Sequence, residues 1–303
     1  MWACGFFVAR VPGATRPELS GTSVLFVVLF ALPSYAVLWR WAGPRRALQV
    51  LAGLGLFALG IETLAVATGW PYGRFSYGDA IGGKVAGLVP WSVPFAWTPL
   101  VLGTHALTQR LLRFARPISG SRRTSPGEGT AWPGLSVRLA PVAAGAVALA
   151  VADLVLDPGA VRQKFWHYDA GGPYYGVPAS NYFGWLLSGL VGHVLLRLLL
   201  RPGGQGEPNP GHSPGVAAAS PLEASPLEAS PLEASPLEAG AQPPAGLAVS
   251  LGWTLAFWCS VCAWGGLWAP AAIGHCCLLL LWIALRPAAR GAGIRDGSGA
   301  NNS

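Results

Sequence analysis

The sequence predicts an all-α integral membrane protein, a polytopic bundle of about seven transmembrane helices. Of its 303 residues, 52% are hydrophobic and 11% charged, whereas a soluble domain carries about 25% charged residues. Apolar runs of about 20 residues, the length that crosses a hydrocarbon core, recur along the chain. Many of its 14 tryptophans flank those runs (Trp39, Trp41, Trp70, Trp91, Trp166), as interfacial anchors do.

Taken in order, the candidate spans are 22–40, 47–69, 85–107, 138–157, 182–200, 247–265 and 267–285. The third contains Pro90, Pro94 and Pro99. Proline removes a backbone donor, so this helix is expected to be kinked and packed against protein rather than lipid. The first span is expected to be retained, because no small-x-small cleavage site follows it and its apolar run is long for a signal peptide. Lys and Arg concentrate after spans one, three, five and seven, as in Arg40, Arg45 and Arg46 or Arg110, Arg113 and Arg116. The positive-inside rule then puts the C-terminus in the cytoplasm and the N-terminus outside, with a bacterial plasma membrane as the expected location. The net charge of +7 belongs to these short loops and does not suggest a nucleic-acid partner.

Two segments read as connectors. Residues 119–133 are basic and rich in Ser, Gly and Pro, while 201–246 hold four Ser-Pro-Leu-Glu-Ala copies between Ser220 and Ala239. A proline every five residues prevents a stable helix, and one leucine per repeat cannot build a core. The expected organisation is a five-span catalytic unit at 20–200, a disordered linker at 201–246, two C-terminal spans at 247–286 and a disordered tail at 287–303. Cys259 and Cys262 form a C-x-x-C inside an apolar run, so they are read as packing residues rather than metal ligands.

The candidate chemistry lies in three acids. The repeats hold four of the chain's 13 acidic residues; of the rest, Glu62, Asp153 and Asp157 fall in apolar runs. An ionised carboxylate in hydrocarbon costs several kcal/mol, so a retained one marks a functional site by default; the alternative is an acid bonded to a neighbouring helix or reaching to the interface. Asp153 and Asp157, at i and i+4, share one helix face. Each acid-bearing run leads into an aromatic loop: Thr68-Gly-Trp-Pro-Tyr-Gly-Arg-Phe-Ser-Tyr-Gly78, and Phe165-Trp-His-Tyr-Asp-Ala-Gly-Gly-Pro-Tyr-Tyr-Gly-Val-Pro178 followed by Asn181-Tyr-Phe-Gly-Trp185. Glycine and proline fix such turns and hold rings that suit a polyene or a developing cation. An ordinary interfacial aromatic belt is the alternative.

These motifs, with Val89-Pro-Trp-Ser-Val-Pro-Phe-Ala-Trp97 and Asp157-Pro158, make the chain resemble the carotenoid 1′,2′-hydratases, the CruF-type membrane family of the bacterioruberin pathway. The resemblance covers roughly residues 20–200. It implies cofactor-independent addition of water to the terminal double bond of an acyclic end group, as in lycopene or γ-carotene, giving a tertiary alcohol. The implied partners are the carotenoid, the bilayer and other carotenoid-biosynthesis enzymes.

The residues suit that chemistry. Protonation at carbon 2′ leaves a tertiary cation at carbon 1′, which water captures. Asp153 or Glu62 is expected to be the acid, and Asp157 to position water. Trp70, Tyr72, Phe75, Tyr77, Trp91, Trp97, Trp166, His167, Tyr174, Tyr175, Asn181 and Trp185 are expected to bind substrate or water. Two other classes stay open. A transporter could use the same acids as a proton relay, and the chain could be a non-catalytic assembly partner. A prenyl transferase would need an Asp-rich pyrophosphate motif, which the sequence lacks.

Overall fold

Glycine and proline set the helix boundaries in this computed structural model, which describes residues 1–114, 139–201, 235–237 and 241–286. Helix α1 (Trp2–Arg10) precedes α2 (Ser20–Ala42), and α2 ends at Gly43, whose φ of +78° only glycine adopts freely. Helix α3 (Pro44–Thr68) begins with proline at its first position, where no backbone N–H is needed. It closes on Gly69 at φ +81°, whose N–H donates to Ala65 O at 2.7 Å. The short strands β1 (Phe75–Tyr77), β2 (Lys84–Val85) and β3 (Val89–Pro90) follow. Then come α4 (Val93–Phe114), α5 (Leu139–Arg162), β4 (Trp166–Tyr168), α6 (Ala179–Leu199), α7 (Val249–Trp264) and α8 (Trp268–Leu285).

Among the described residues, six helices are long and apolar enough to cross a membrane, namely those containing α2, α3, α5, α6, α7 and α8. The fold is therefore an all-α polytopic membrane protein. Helix α4 is not among the six, because it carries Thr98, Thr104, His105 and Thr108. All four are buried, and α4 packs against α2, α3, α5 and α7 in the middle of the bundle. A helix shielded by protein tolerates polar groups, and two of these threonines are bonded. Thr104 Oγ1 donates to Leu100 O at 2.8 Å and meets His193 Nε2 of α6 at 3.1 Å, and Thr108 Oγ1 donates to Thr104 O at 2.8 Å.

Two expected boundaries need correction. The third span does not start at Val85: residues 84–90 form the β2–β3 ribbon, and the helix starts at Val93. Gly87 at φ +73° turns the ribbon, and Pro94 falls in the first helical turn, where its missing N–H is harmless. The fourth span does not end at Asp157, since α5 runs through Pro158 to Arg162. Pro158 has no N–H for the carbonyl four residues earlier, Leu154 O, and the Tyr174 hydroxyl donates to that oxygen instead at 3.3 Å.

Small residues let the helices close. In lipid no hydrophobic force drives helix against helix, so close approach through glycine and serine supplies the packing energy. A Cβ on Gly189 of α6 would lie 3.1 Å from Ala146 Cα of α5, and one on Gly192 would lie 2.5 Å from Trp97 Cη2 of α4. Helix α1, unforeseen from the sequence, packs on the C-terminal end of α7 through Gly5, where a Cβ would collide with Ser260 Oγ, and through Phe6 against Trp264 at 5.1 Å. At the opposite end of the bundle, Leu237 of the fourth repeat is buried, and its N–H donates to Trp41 O at 3.0 Å. Most of the linker at 201–246, the connector at 119–133 and the tail at 287–303 lie outside the described residues.

Gly192→Ala is expected to destabilise the protein by about 1–3 kcal/mol through overpacking against Trp97. Gly60→Ala, also mid-helix but with open space around the added methyl, is expected to be neutral or to stabilise by up to about 1 kcal/mol. Thermal unfolding of both variants in detergent tests the contrast.

Candidate active site

The two aromatic loops become one structure by strand pairing. Strands β1 and β4 lie antiparallel with Phe75 opposite Tyr168, Ser76 opposite His167 and Tyr77 opposite Trp166. Side chains alternate across a strand, so Phe75, Tyr77, Trp166 and Tyr168 share the inner face. Ser76 and His167 share the outer one, where Ser76 Oγ and His167 Nε2 meet at 3.1 Å. The inner face caps a cavity of about 500 Å³ whose wall is mostly apolar, and Glu62, Asp153 and Asp157 line it.

Those acids come from the C-terminal parts of α3 and α5 and are almost completely buried, at 5%, 1% and 2% exposure. Each meets a donor from another element. Tyr77 Oη donates to Glu62 Oε2 at 2.8 Å, and Tyr168 Oη donates to Asp157 Oδ2 at 2.8 Å. Asn181, in the first turn of α6, donates from its single Nδ2 to Asp153 Oδ2 at 2.7 Å and to Asp157 Oδ2 at 2.6 Å. An amide NH₂ has two hydrogens, so this fork uses both. The other Asp153 oxygen, Oδ1, is buried and receives no donor among the described residues. Burial pushes the phenols of Tyr77 and Tyr168 well above the usual tyrosine range, and the neighbouring Glu62 and Asp157 respectively push the same way. Both phenols therefore stay protonated and able to donate through the neutral range.

Around the acids stand Tyr72, Phe75, Trp97, Trp166 and Trp185, all lining the cavity. Tyr72 is held against α6 at Gly184, where a Cβ would collide with its ring, and its ring centroid is 6.2 Å from that of Trp185. The other expected ligand-binding residues lie elsewhere. Trp70 and Trp91 are 56% and 46% exposed, in keeping with the interfacial-belt alternative. His167 faces outward on β4, Tyr174 caps the Leu154 carbonyl, and the Tyr175 hydroxyl accepts from the Ala269 N–H at 3.4 Å. Tyr168 was missed by sequence reasoning, although the alternation of Trp166, His167 and Tyr168 carried the signal: if Trp166 points inward, Tyr168 does too. Phe7, Phe26, Phe30 and Phe257 also line the cavity from parts of the chain where no motif marked them. The C-x-x-C lies in helix contacts, with Cys259 Sγ 3.3 Å from Ala271 O and Cys262 Sγ 3.4 Å from Val155 O.

Comparison with known proteins bears on this geometry. Residues 21–218 match the model of a family described as carotenoid biosynthesis protein. A bisanhydrobacterioruberin hydratase from Haloarcula japonica is 42% identical over 151 residues, which make up 50% of this chain and 45% of that relative. The match thus spans about half the length of the relative. No solved structure matches the chain.

Tyr168→Phe and Tyr77→Phe keep the ring packing and each remove one hydrogen bond to a carboxyl group, so each is expected to lower stability by about 1.5–3 kcal/mol. In the native protein the two phenols hold their protons above the usual tyrosine pKa of about 10, whereas the unfolded chain releases them there. Unfolding then releases protons, so stability is full below about pH 10 and falls as the pH rises further. Denaturation midpoints between neutral and strongly alkaline pH, compared with those of the double Phe variant, measure both effects.

Proposed function

Because the chain belongs to the carotenoid biosynthesis protein family, we propose that it hydrates the terminal 1′,2′ double bond of an acyclic carotenoid end group to a tertiary alcohol. The observation that carries this reading is the meeting of three buried carboxyl groups at one end of an apolar cavity walled by aromatic rings. An alkene offers no hydrogen-bonding handle, so an apolar, aromatic chamber with its acid at the reacting carbon is what its protonation requires. The name of the Haloarcula japonica relative adds support for a carotenoid and for hydration.

In this mechanism Asp153 carries the proton. Its Oδ1 has no donor among the described residues, which leaves it free to present O–H to carbon 2′. The π pair of the double bond forms the new C–H bond, and carbon 1′ becomes a tertiary cation. Faces of Tyr72, Phe75, Trp97 and Trp185 surround that charge and stabilise it. Asp157, fixed by the Tyr168 hydroxyl and the Asn181 amide, orients water and accepts the proton it loses as its oxygen bonds carbon 1′. Asp157 then holds one proton more and Asp153 one fewer. The two are bridged by one Asn181 nitrogen, so a transfer between neighbours restores the starting state with no net proton exchanged. Glu62, bonded by Tyr77, is the alternative acid and otherwise adds negative charge opposite the cation. The excess of Lys and Arg in the loops at the other end of the bundle supports, by the positive-inside rule, the reading that the acids face the non-cytoplasmic side of a bacterial plasma membrane.

Expression in cells that accumulate lycopene and γ-carotene should give a pigment heavier by one water with an unchanged polyene absorption spectrum. Unchanged pigments despite membrane-inserted protein would reject these substrates. Asp153→Asn is expected to lower product formation about 10²–10⁴-fold, the usual contribution of a general acid, at an unchanged level of protein. Full activity in both Asp153→Asn and Glu62→Gln would reject the carboxyl mechanism.

A further inference from the structure

The cavity does not end at the acids. It continues away from them to α1, the N-terminal half of α2 and the middle of α7, where Cys4, Phe7, Phe26, Phe30 and Phe257 line it. On α2 and at its N-cap the lining positions are Leu19, Thr22, Ser23, Phe26, Val27 and Phe30, spaced three and four apart as one helical stripe. Phe26 and Phe30 of this stripe meet Phe257 of α7 at ring-centroid distances of 5.7 and 6.0 Å, and the stripe as a whole also lines the cavity. Helix α2 is also the least covered of the spans, with 17% of its apolar window buried. At the far limit of the cavity Phe7 is 48% and Leu19 is 38% exposed, so this end opens at the outer surface of the bundle, beside α1. Its wall is apolar, apart from the small Cys4, Thr22, Ser23 and Thr254.

We propose that this limb is a lateral portal for the substrate's polyene chain, with α1 and α7 on one side and α2 on the other. The inference rests on the hydratase reading and adds how the substrate sits. A cavity of about 500 Å³ is the size that encloses a ligand of ordinary drug dimensions. It therefore takes one end group and a stretch of chain, while the rest of the rod stays in the bilayer. The transfer from lipid to site never exposes the polyene to water, which an apolar chain would resist. Helix α1, pinned to α7 at the Gly5–Ser260 contact, roofs the portal rather than crossing it.

The native thiol of Cys4 reports on the portal. Among the other cysteines, Cys259 and Cys262 are buried, while Cys276 and Cys277 have some exposure. In full-length protein carrying Cys276→Ser and Cys277→Ser, reconstituted in liposomes, the rate of Cys4 labelling by a membrane-permeant maleimide is measured with two additives. One is lycopene; the other is a ten-carbon acyclic terpene with the same terminal double bond. Lycopene at ten times its dissociation constant is expected to slow labelling about tenfold, whereas the short terpene, reaching only the acid end, leaves the rate unchanged. Quenching of tryptophan fluorescence by the polyene reports binding independently. Quenching without protection of Cys4, equal protection by both additives, or neither signal would each overturn the portal. Protection by lycopene alone in a protein that forms no hydrated pigment would leave the portal standing and reject the hydratase reading.

Discussion

Asn181 makes the bond on which the rest of the candidate site depends. Two carboxyl groups one helical turn apart on α5 repel each other if both are charged, and neither reaches bulk water. A single amide donating to both at 2.7 and 2.6 Å satisfies one oxygen of each without adding a cation. That choice matters, because an arginine or lysine there would hold both acids as ion pairs and leave no carboxylic proton to give. Lys84 pairs with Asp79 in the loop, at 2.9 Å. The acids are held instead by neutral donors: Tyr77, Tyr168 and Asn181.

For Asn181 to reach Asp153 and Asp157, α6 must lie close against α5, and the small residues along the contact allow it. Gly145, Ala146 and Gly189 remove the side chains that would hold the helices apart, and no hydrophobic force is available in lipid to make up for a looser fit. Helix α4 completes the arrangement from the centre. Thr104 and Thr108 bond their own backbone or His193, so these polar groups can lie in the middle of the bundle without a path to water, and Trp97 can close the cavity from that side.

The β1–β4 ribbon deals with the opposite requirement, a site open to ligand but not to solvent. Irregular backbone is tolerated at membrane depth only where protein covers it or it lines a cavity. The ribbon satisfies its own backbone by strand pairing and the flanking bonds Gly78 N–H to Phe165 O at 2.8 Å and Asp169 N–H to Arg74 O at 3.0 Å. It turns one aromatic face inward and leaves Ser76 and His167 outside. Apolar rings thus surround the acids on the side away from the lipid portal, and the hydration chemistry proposed here needs both: rings for the cation and a dry path for the polyene.

By itself, the sequence determined the membrane class, the approximate spans, the three acids and the two aromatic loops, because each is written in local composition: runs of apolar residues, charges where hydrocarbon forbids them, and glycine and proline at turns. It also showed that Asp153 and Asp157 share a face, since that follows from helical periodicity. Only the tertiary structure decided which aromatic residues meet the acids. Tyr168 and His167 are neighbours in a similar motif context, yet pairing with β1 turns one to Asp157 and the other outward. Tyr174 looks like a ligand-binding ring and instead caps the carbonyl that Pro158 leaves open. Glu62 joins the aspartates only because α3 and α5 end, and α6 begins, beneath one ribbon. Phe26 and Phe257, from helices with no motif, supply the far wall of the cavity. Contacts of that kind depend on how helices separated by up to about 230 residues approach one another, and no local pattern encodes the distance between two helices.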